Sequence, residues 1–108
     1  IAMIKIGNIL ILNGDSKDDL SIYENTRMCL ISCGFSHRST ITASSIGEAG
    51  FTYCIQREIK TLRGEYVAPQ EFNIAWSKKH EDIYPYLAIV TLLLVSGCPV
   101  EIFKLLKF

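Results

Sequence analysis

Apolar residues fall along this chain in three rhythms. From Met3 to Leu12 they run almost without a break, densest in Ile and Leu from Ile9 onward. Such a run suits a strand covered on both faces, as in a parallel α/β layer. RMCLIS, Arg27 to Ser32, reads as a second short apolar strand, closed by Cys33-Gly34. Between them, Ser16-x-x-Asp19 looks like a helix start, because a short acceptor takes up free backbone amides; a short helix through about Tyr23 follows.

The middle alternates. Phe51, Tyr53 and Ile55 interleave with Thr52, Cys54 and Gln56, the period of a half-buried strand. STITASSI, GFTYCIQREI and GEYVAPQEFNIAW are rich in β-branched and aromatic residues, while GEAG (47–50) and LRGE (62–65) supply glycine where turns need positive φ. This predicts an antiparallel meander in which the strand holding Pro69 ends there or lies on an edge. The last third is helical. Glu81 and Asp82 precede an apolar run with Pro85 in its first turn, and the run stops at Gly97. Being apolar nearly all round, that helix should be buried. Pro99 starts a second helix with Ile102, Phe103 and Leu106 on one face. The expectation is one α/β domain over residues 1–108: short parallel-type strands, an antiparallel β meander and C-terminal helices.

Composition narrows the function. With 108 residues and 49% hydrophobic side chains, the chain builds one modest core and is not disordered. A net charge of +0 argues against a nucleic-acid surface. Arg57, Lys60 and Arg63 are interrupted by Glu58 and read as one solvated strand edge. Cys29, Cys33, Cys54 and Cys98 match no zinc spacing, so buried thiols in a reducing cytoplasm are expected. The most apolar segment, Tyr84 to Val95, is about twelve residues, too short to cross a bilayer, so no membrane partner is expected.

Little catalytic chemistry is visible. Neither a Walker-type loop nor Gly-x-Gly-x-x-Gly occurs, so the usual cradle for a nucleoside triphosphate is missing. Asp15, Asp18 and Asp19 follow the first strand. Clustered carboxylates there can hold Mg²⁺, but a turn at Asn13-Gly14-Asp15 and a helix start account for all three. Ser36, His37 and Ser39 lack an orienting acid at a recognisable spacing and read as a Ser-rich loop. His80, after Lys78-Lys79, reads as exposed loop, and Trp76 as a core or rim residue.

The order of features is the informative part. A strand ends in ILNGD; CLISCG, STITASSI, GFTYCI and GEYVAP follow; LLLVSGCPVEIFKLL closes the chain. This order resembles the second half of the central domain of Mur ligases, the ATP-dependent amide ligases of peptidoglycan synthesis. Folylpolyglutamate synthase is a more distant relative. In the family an Asn-x-Asp-Asp-like motif ends a strand, and a small-residue helix ends in Leu-Gly-x-Pro, which Ser96-Gly97-Cys98-Pro99 resembles. Its Gly-x-His/Phe-Asn-x-x-Asn motif contributes to the adenine site. Here QEFNIAW offers Phe72 and Asn73, with Gln70 for the Gly and Trp76 for the second Asn. In the other register Asp82 and Pro85 take the Asn places and His80 stands one position out of step.

The resemblance implies a parent that joins an amino acid to a carboxylate through an acyl phosphate, using ATP and Mg. It makes Asn73, His80, Asn13 and Asp15 the candidate cofactor-binding residues, with no catalytic or metal-ligating residue in this chain. The family's P-loop, magnesium ligands and carbamylated lysine precede this segment, so no cofactor is expected for the chain alone. The expectation is a scaffold segment that is non-catalytic in isolation, cytoplasmic, with the missing ligase domains as partners. Met3 reads as a candidate start residue of a free-standing degenerate relative, Ile1-Ala2 being extraneous. The alternative is a small interaction module that forms a homo-dimer or binds a partner through an uncovered strand edge. An independent hydrolase on Ser36, His37 or Asp15 stands third.

Overall fold

In the computed structural model, residues 2–16 and 27–108 are described. Except for Ser16, the expected Ser16–Tyr23 helix lies outside them, as do Asp18 and Asp19. The apolar N-terminal run is two strands rather than one. β1 (Ala2–Ile6) and β2 (Ile9–Asn13) pair antiparallel, with Ile6 opposite Ile9. Gly7-Asn8 makes the two-residue turn between them, Gly7 taking a left-handed φ of 56°. Gly-Asn between apolar runs is a hairpin signal in its own right.

β2 pairs parallel with β3 (Cys29–Cys33) over its full length, Ile9 opposite Cys29 through Asn13 opposite Cys33. β3 touches β4 (Ile41–Gly47) in parallel at a single pair, Cys33 opposite Ile41. The junction is reinforced from the intervening loop. Gly34 N–H donates to Ile41 O at 3.0 Å, and Thr40 N–H donates to Ser32 Oγ at 3.1 Å. The Gln56 side chain donates to Ser39 O at 2.8 Å.

From β4 the sheet is antiparallel: β4 pairs with β5 (Gly50–Ile55), and β5 with an edge strand at Gln70–Ala75. Among the described residues the full mixed sheet has six strands. The expected alternation holds in β5, where Phe51, Tyr53 and Ile55 are buried and Thr52 and Cys54 are half-buried. Between β5 and the edge strand, β6 (Ile59–Lys60) and β7 (Tyr66–Val67) form a separate hairpin. The edge strand is β8. The chain turns at Gly64, φ 82°, and β7 stops two residues before Pro69, which has no N–H for a ladder. The basic residues Arg57, Lys60 and Arg63 are exposed along this hairpin, Lys60 lying over the Tyr66 ring at 5.8 Å.

Helix α1 (Tyr84–Val95) packs across β1 to β4. Its end is a Schellman cap: Cys98 N–H donates to Leu93 O and Gly97 N–H to Leu94 O, each at 3.1 Å, with Gly97 at φ 99°. The β6–β7 hairpin satisfies a further end carbonyl, Leu62 N–H donating to Val95 O at 2.9 Å. One face of α1 is buried through Leu87, Ala88, Val90, Thr91, Leu94 and Val95. Full burial does not occur: Ile89 is 39% exposed, because the sheet lies on one side of the helix only among the described residues.

The short helix α2 (Val100–Phe103) drives Phe103 fully into the core. There it stacks on Phe72 at 5.1 Å, which stacks on Tyr53 at 5.1 Å. Ile102, expected beside Phe103, is 43% exposed, since consecutive residues on a helix point about 100° apart. Trp76 is a core residue, tilted against Phe51, with its indole N–H on Gly47 O at 2.8 Å.

Candidate functional site

The carboxyl end of β2 meets the first turn of α1. Asn13 Oδ1 accepts the Asp15 N–H at 2.9 Å, an Asx turn that bends the chain out of the sheet. Gly14 N–H continues the ladder to Cys33 O at 2.8 Å. Asp15 then folds back over Gly34, where a Cβ would come within 2.6 Å of its Oδ1, so Gly34 makes room for the carboxylate that follows β2. Asp15 Oδ2 accepts two hydrogen bonds, from Phe35 N–H at 2.8 Å and from the Tyr84 hydroxyl at 2.6 Å. The Phe35 and Tyr84 rings meet edge-on, 6.0 Å apart. Just before the helix, Asp82 Oδ1 accepts Tyr84 N–H at 3.1 Å.

These contacts set the electrostatics. Partial burial works to raise the Asp15 pKa. The hydrogen bonds from Tyr84, Phe35 and Ser36 together outweigh it and hold the carboxyl below its ordinary value. The Tyr84 hydroxyl is pushed up to about 12, first by desolvation, then by its bond to Asp15 and the charges of Asp15 and Asp82. At neutral pH the pair is a carboxylate clasped by a neutral phenol.

A cleft of about 510 Å³ opens beside the clasp, lined by Phe35, Ile46 and the segment from Lys79 to Tyr84. His80 lies here, and it is half-buried rather than in an exposed loop. Its ring stacks on Tyr86 at 4.4 Å, its Nδ1 is 3.1 Å from the Tyr86 hydroxyl, and Trp76 meets it edge-on at 5.4 Å. The aromatic surroundings hold it in place. Asn73 is elsewhere. It sits on the outer face of β8 in a separate cleft of about 860 Å³ and accepts the Thr52 hydroxyl at 2.9 Å.

Asn13, Asp15 and His80 therefore share one end of the sheet, and Asn73 does not join them. The set does not fit a nucleotide. Asn13 Oδ1 is taken up by Asp15 N–H and Asp15 Oδ2 by Tyr84 of α1, and the cleft beside them is lined by the acidic Glu81 and Asp82 as well as by Lys79. Among the described residues no group of His, Cys, Asp or Glu could hold a metal ion. Ser36 Oγ accepts Arg38 N–H at 3.1 Å, closing a local turn, and Ser39 is buried. All four cysteines are free, but Cys33 alone is fully buried; Cys29, Cys54 and Cys98 are half-buried. Burial pushes the Cys33 thiol up to about 12. Cys54 is raised by desolvation and by Glu71.

Sequence reasoning missed Tyr84 and Phe35. Both had a local signal: Phe35 follows the glycine that closes β3, and Tyr84 directly precedes the first-turn proline. No family model, no curated protein and no solved structure matches the chain. Among the described residues no helix is long and apolar enough to cross a membrane.

Proposed function

We propose that this chain is a scaffold segment of a Mur-ligase-like protein, non-catalytic in isolation, working in the cytoplasm with the remaining ligase domains as partners. One observation carries the reading. A parallel strand ends at Asn13-Gly14-Asp15 and is clasped there to the first turn of the closing helix, while the same sheet continues into an antiparallel meander. The strand, the meander and the closing helix support the reading, since the resemblance leads one to expect them in that order; the clasp is an addition to it. The clasp uses the carboxylate for positioning: it fixes the strand end against the helix start and so shapes one wall of a cleft. Nucleotide and magnesium, in this reading, belong to the parent's other segments.

The test is the mass of the native polypeptide in its source cells, by immunoblot against this segment. A band of several tens of kilodaltons supports a ligase segment. A band at the mass of the 108 residues would shift the reading to the second one, a stand-alone interaction module. That second reading is favoured by a specific feature, the open edge of β8. Calorimetric titration of the purified chain with Mg-ATP is expected to give no saturable heat; saturable binding would overturn the non-catalytic scaffold.

A further inference from the structure

Among the described residues β1 and β8 are the two outer edges of the six-stranded sheet. An edge strand presents backbone N–H and C=O groups that another strand can pair with. β1 carries Lys5 and a register shift between Ala2 and Ile4, both of which discourage pairing. β8, Gln70-Glu71-Phe72-Asn73-Ile74-Ala75, has neither.

The phase of β8 can be read from its end. Ala75 O accepts Phe108 N–H at 2.9 Å, so Ala75 faces away from β5; Trp76 N–H turns the other way, to Ala49 O at 3.1 Å. Alternation along an antiparallel ladder then turns the backbone groups of Asn73 and Glu71 outward as well. The open stretch is bounded at both ends. Pro69 has no N–H to give, and Ala75 is already paired with Phe108. What remains, Gln70 to Ile74, is centred on Phe72.

We propose that this window pairs with the same window of a second copy of the chain, antiparallel about a two-fold axis at Phe72. In that register Glu71 stands opposite Asn73 of the second copy, and Asn73 opposite its Glu71. Both residues face outward, so each such pair exchanges N–H and C=O in both directions, and Phe72 meets its counterpart as a non-hydrogen-bonded pair. The side chains agree with the backbone. Thr52 donates to Asn73 Oδ1 at 2.9 Å, which leaves the Asn73 amide hydrogens as donors. The group across from them is the exposed Glu71 carboxylate, an acceptor. Like charges are not set opposite each other, and a net charge of +0 gives two copies no long-range repulsion. A longer strand from another protein fits less well, because it would meet the Phe108 pairing at one end and Pro69 at the other.

Sedimentation equilibrium of the chain over rising concentration reads the association, and amide hydrogen exchange reads the edge. The expected result is a reversible dimer in which the Glu71 and Asn73 amides gain about tenfold protection as the dimer fills, as newly bonded edge amides should. Asn73→Pro removes an outward N–H without removing a backbone bond to β5, although the Thr52 hydroxyl loses its acceptor; it is expected to be folded by circular dichroism and monomeric by sedimentation. Should that variant fail to fold, Glu71→Lys gives the same test, since it replaces the acceptor opposite Asn73 with a donor. A chain that stays monomeric at millimolar concentration overturns the proposal. So does a dimer whose Glu71 and Asn73 amides remain unprotected, or one that Glu71→Lys leaves intact.

Discussion

The two halves of the sheet follow different rules. In β2, Ile9, Leu10, Ile11 and Leu12 are all buried, so both faces of the strand are covered. In β5 buried residues alternate with half-buried ones, so one face is covered and the other meets water. In the ladder the halves meet at one residue pair, Cys33 opposite Ile41; the Gly34 and Thr40 bonds reinforce it, and helix α1 lies across both halves. The difference teaches where register comes from. A one-residue slip in β5 would turn Phe51, Tyr53 and Ile55 to solvent, so its pattern carries its own phase. A slip in β2 exchanges one buried face for another. There the register depends on local turns, at Gly7-Asn8 and at Asn13-Gly14-Asp15, and on the clasp to Tyr84.

The largest effect should come from putting a charge on the second face of each half. Leu10 is 4% exposed, on the face of β2 opposite Ile9 and Ile11. Leu10→Asp is expected to cost about 3 kcal/mol or more in urea unfolding, through an unpaired buried carboxylate. Ser44→Asp, on the exposed face of β4, should stay within about 0.5 kcal/mol. Equal effects at the two positions would break the contrast.

A smaller effect tests how the helix couples the halves. Thr91 Oγ1 donates to Leu87 O at 2.7 Å, so the Tyr53 hydroxyl, 2.7 Å away, must donate to it; Cys33 Sγ lies 3.8 Å off on the same oxygen. This buried node links β5 to β3 beneath α1. Thr91→Val is expected to cost about 1–2 kcal/mol by leaving the Tyr53 hydroxyl without a partner. A double-mutant cycle with Tyr53→Phe should recover much of that loss. Strict additivity would show that the node couples nothing.

The smallest effect belongs to the clasp. Asp15 is exposed and Tyr84 half-buried, so Tyr84→Phe should cost about 0.5–1 kcal/mol at neutral pH. The pH dependence is more telling. The folded pKa of Asp15 is depressed, so its contribution is complete above the unfolded value and is lost as pH falls through the folded one. Tyr84 is raised to about 12, so the neutral hydroxyl's contribution holds below its unfolded value and fades as pH climbs towards about 12. In Tyr84→Phe the Asp15 carboxyl, followed by NMR, should titrate at higher pH than in the unmodified chain. An unchanged titration would mean that the phenol does not hold the carboxylate.

Much of this architecture was written locally. The alternation of Phe51, Tyr53 and Ile55, the proline that bars a ladder, and the Gly97 cap each act over a few residues through dihedral preference and side-chain period, and a sequence displays them directly. Trp76, legible as core or rim, lies in the core, while α1, legible as apolar nearly all round, is buried on one face only. The Gly7-Asn8 hairpin is equally local, but the uniformly apolar run on either side hides it. Other features depend on residues far apart in the chain. Asp15 finds Tyr84 across 69 positions, His80 is held by Trp76 and Tyr86, and Phe108 seals one end of β8. No spacing rule predicts such meetings, because they follow from how the sheet and helix pack. Hydrophobic period decided which faces turn inward; tertiary packing decided which polar groups were consumed in pairs and which backbone edge was left open.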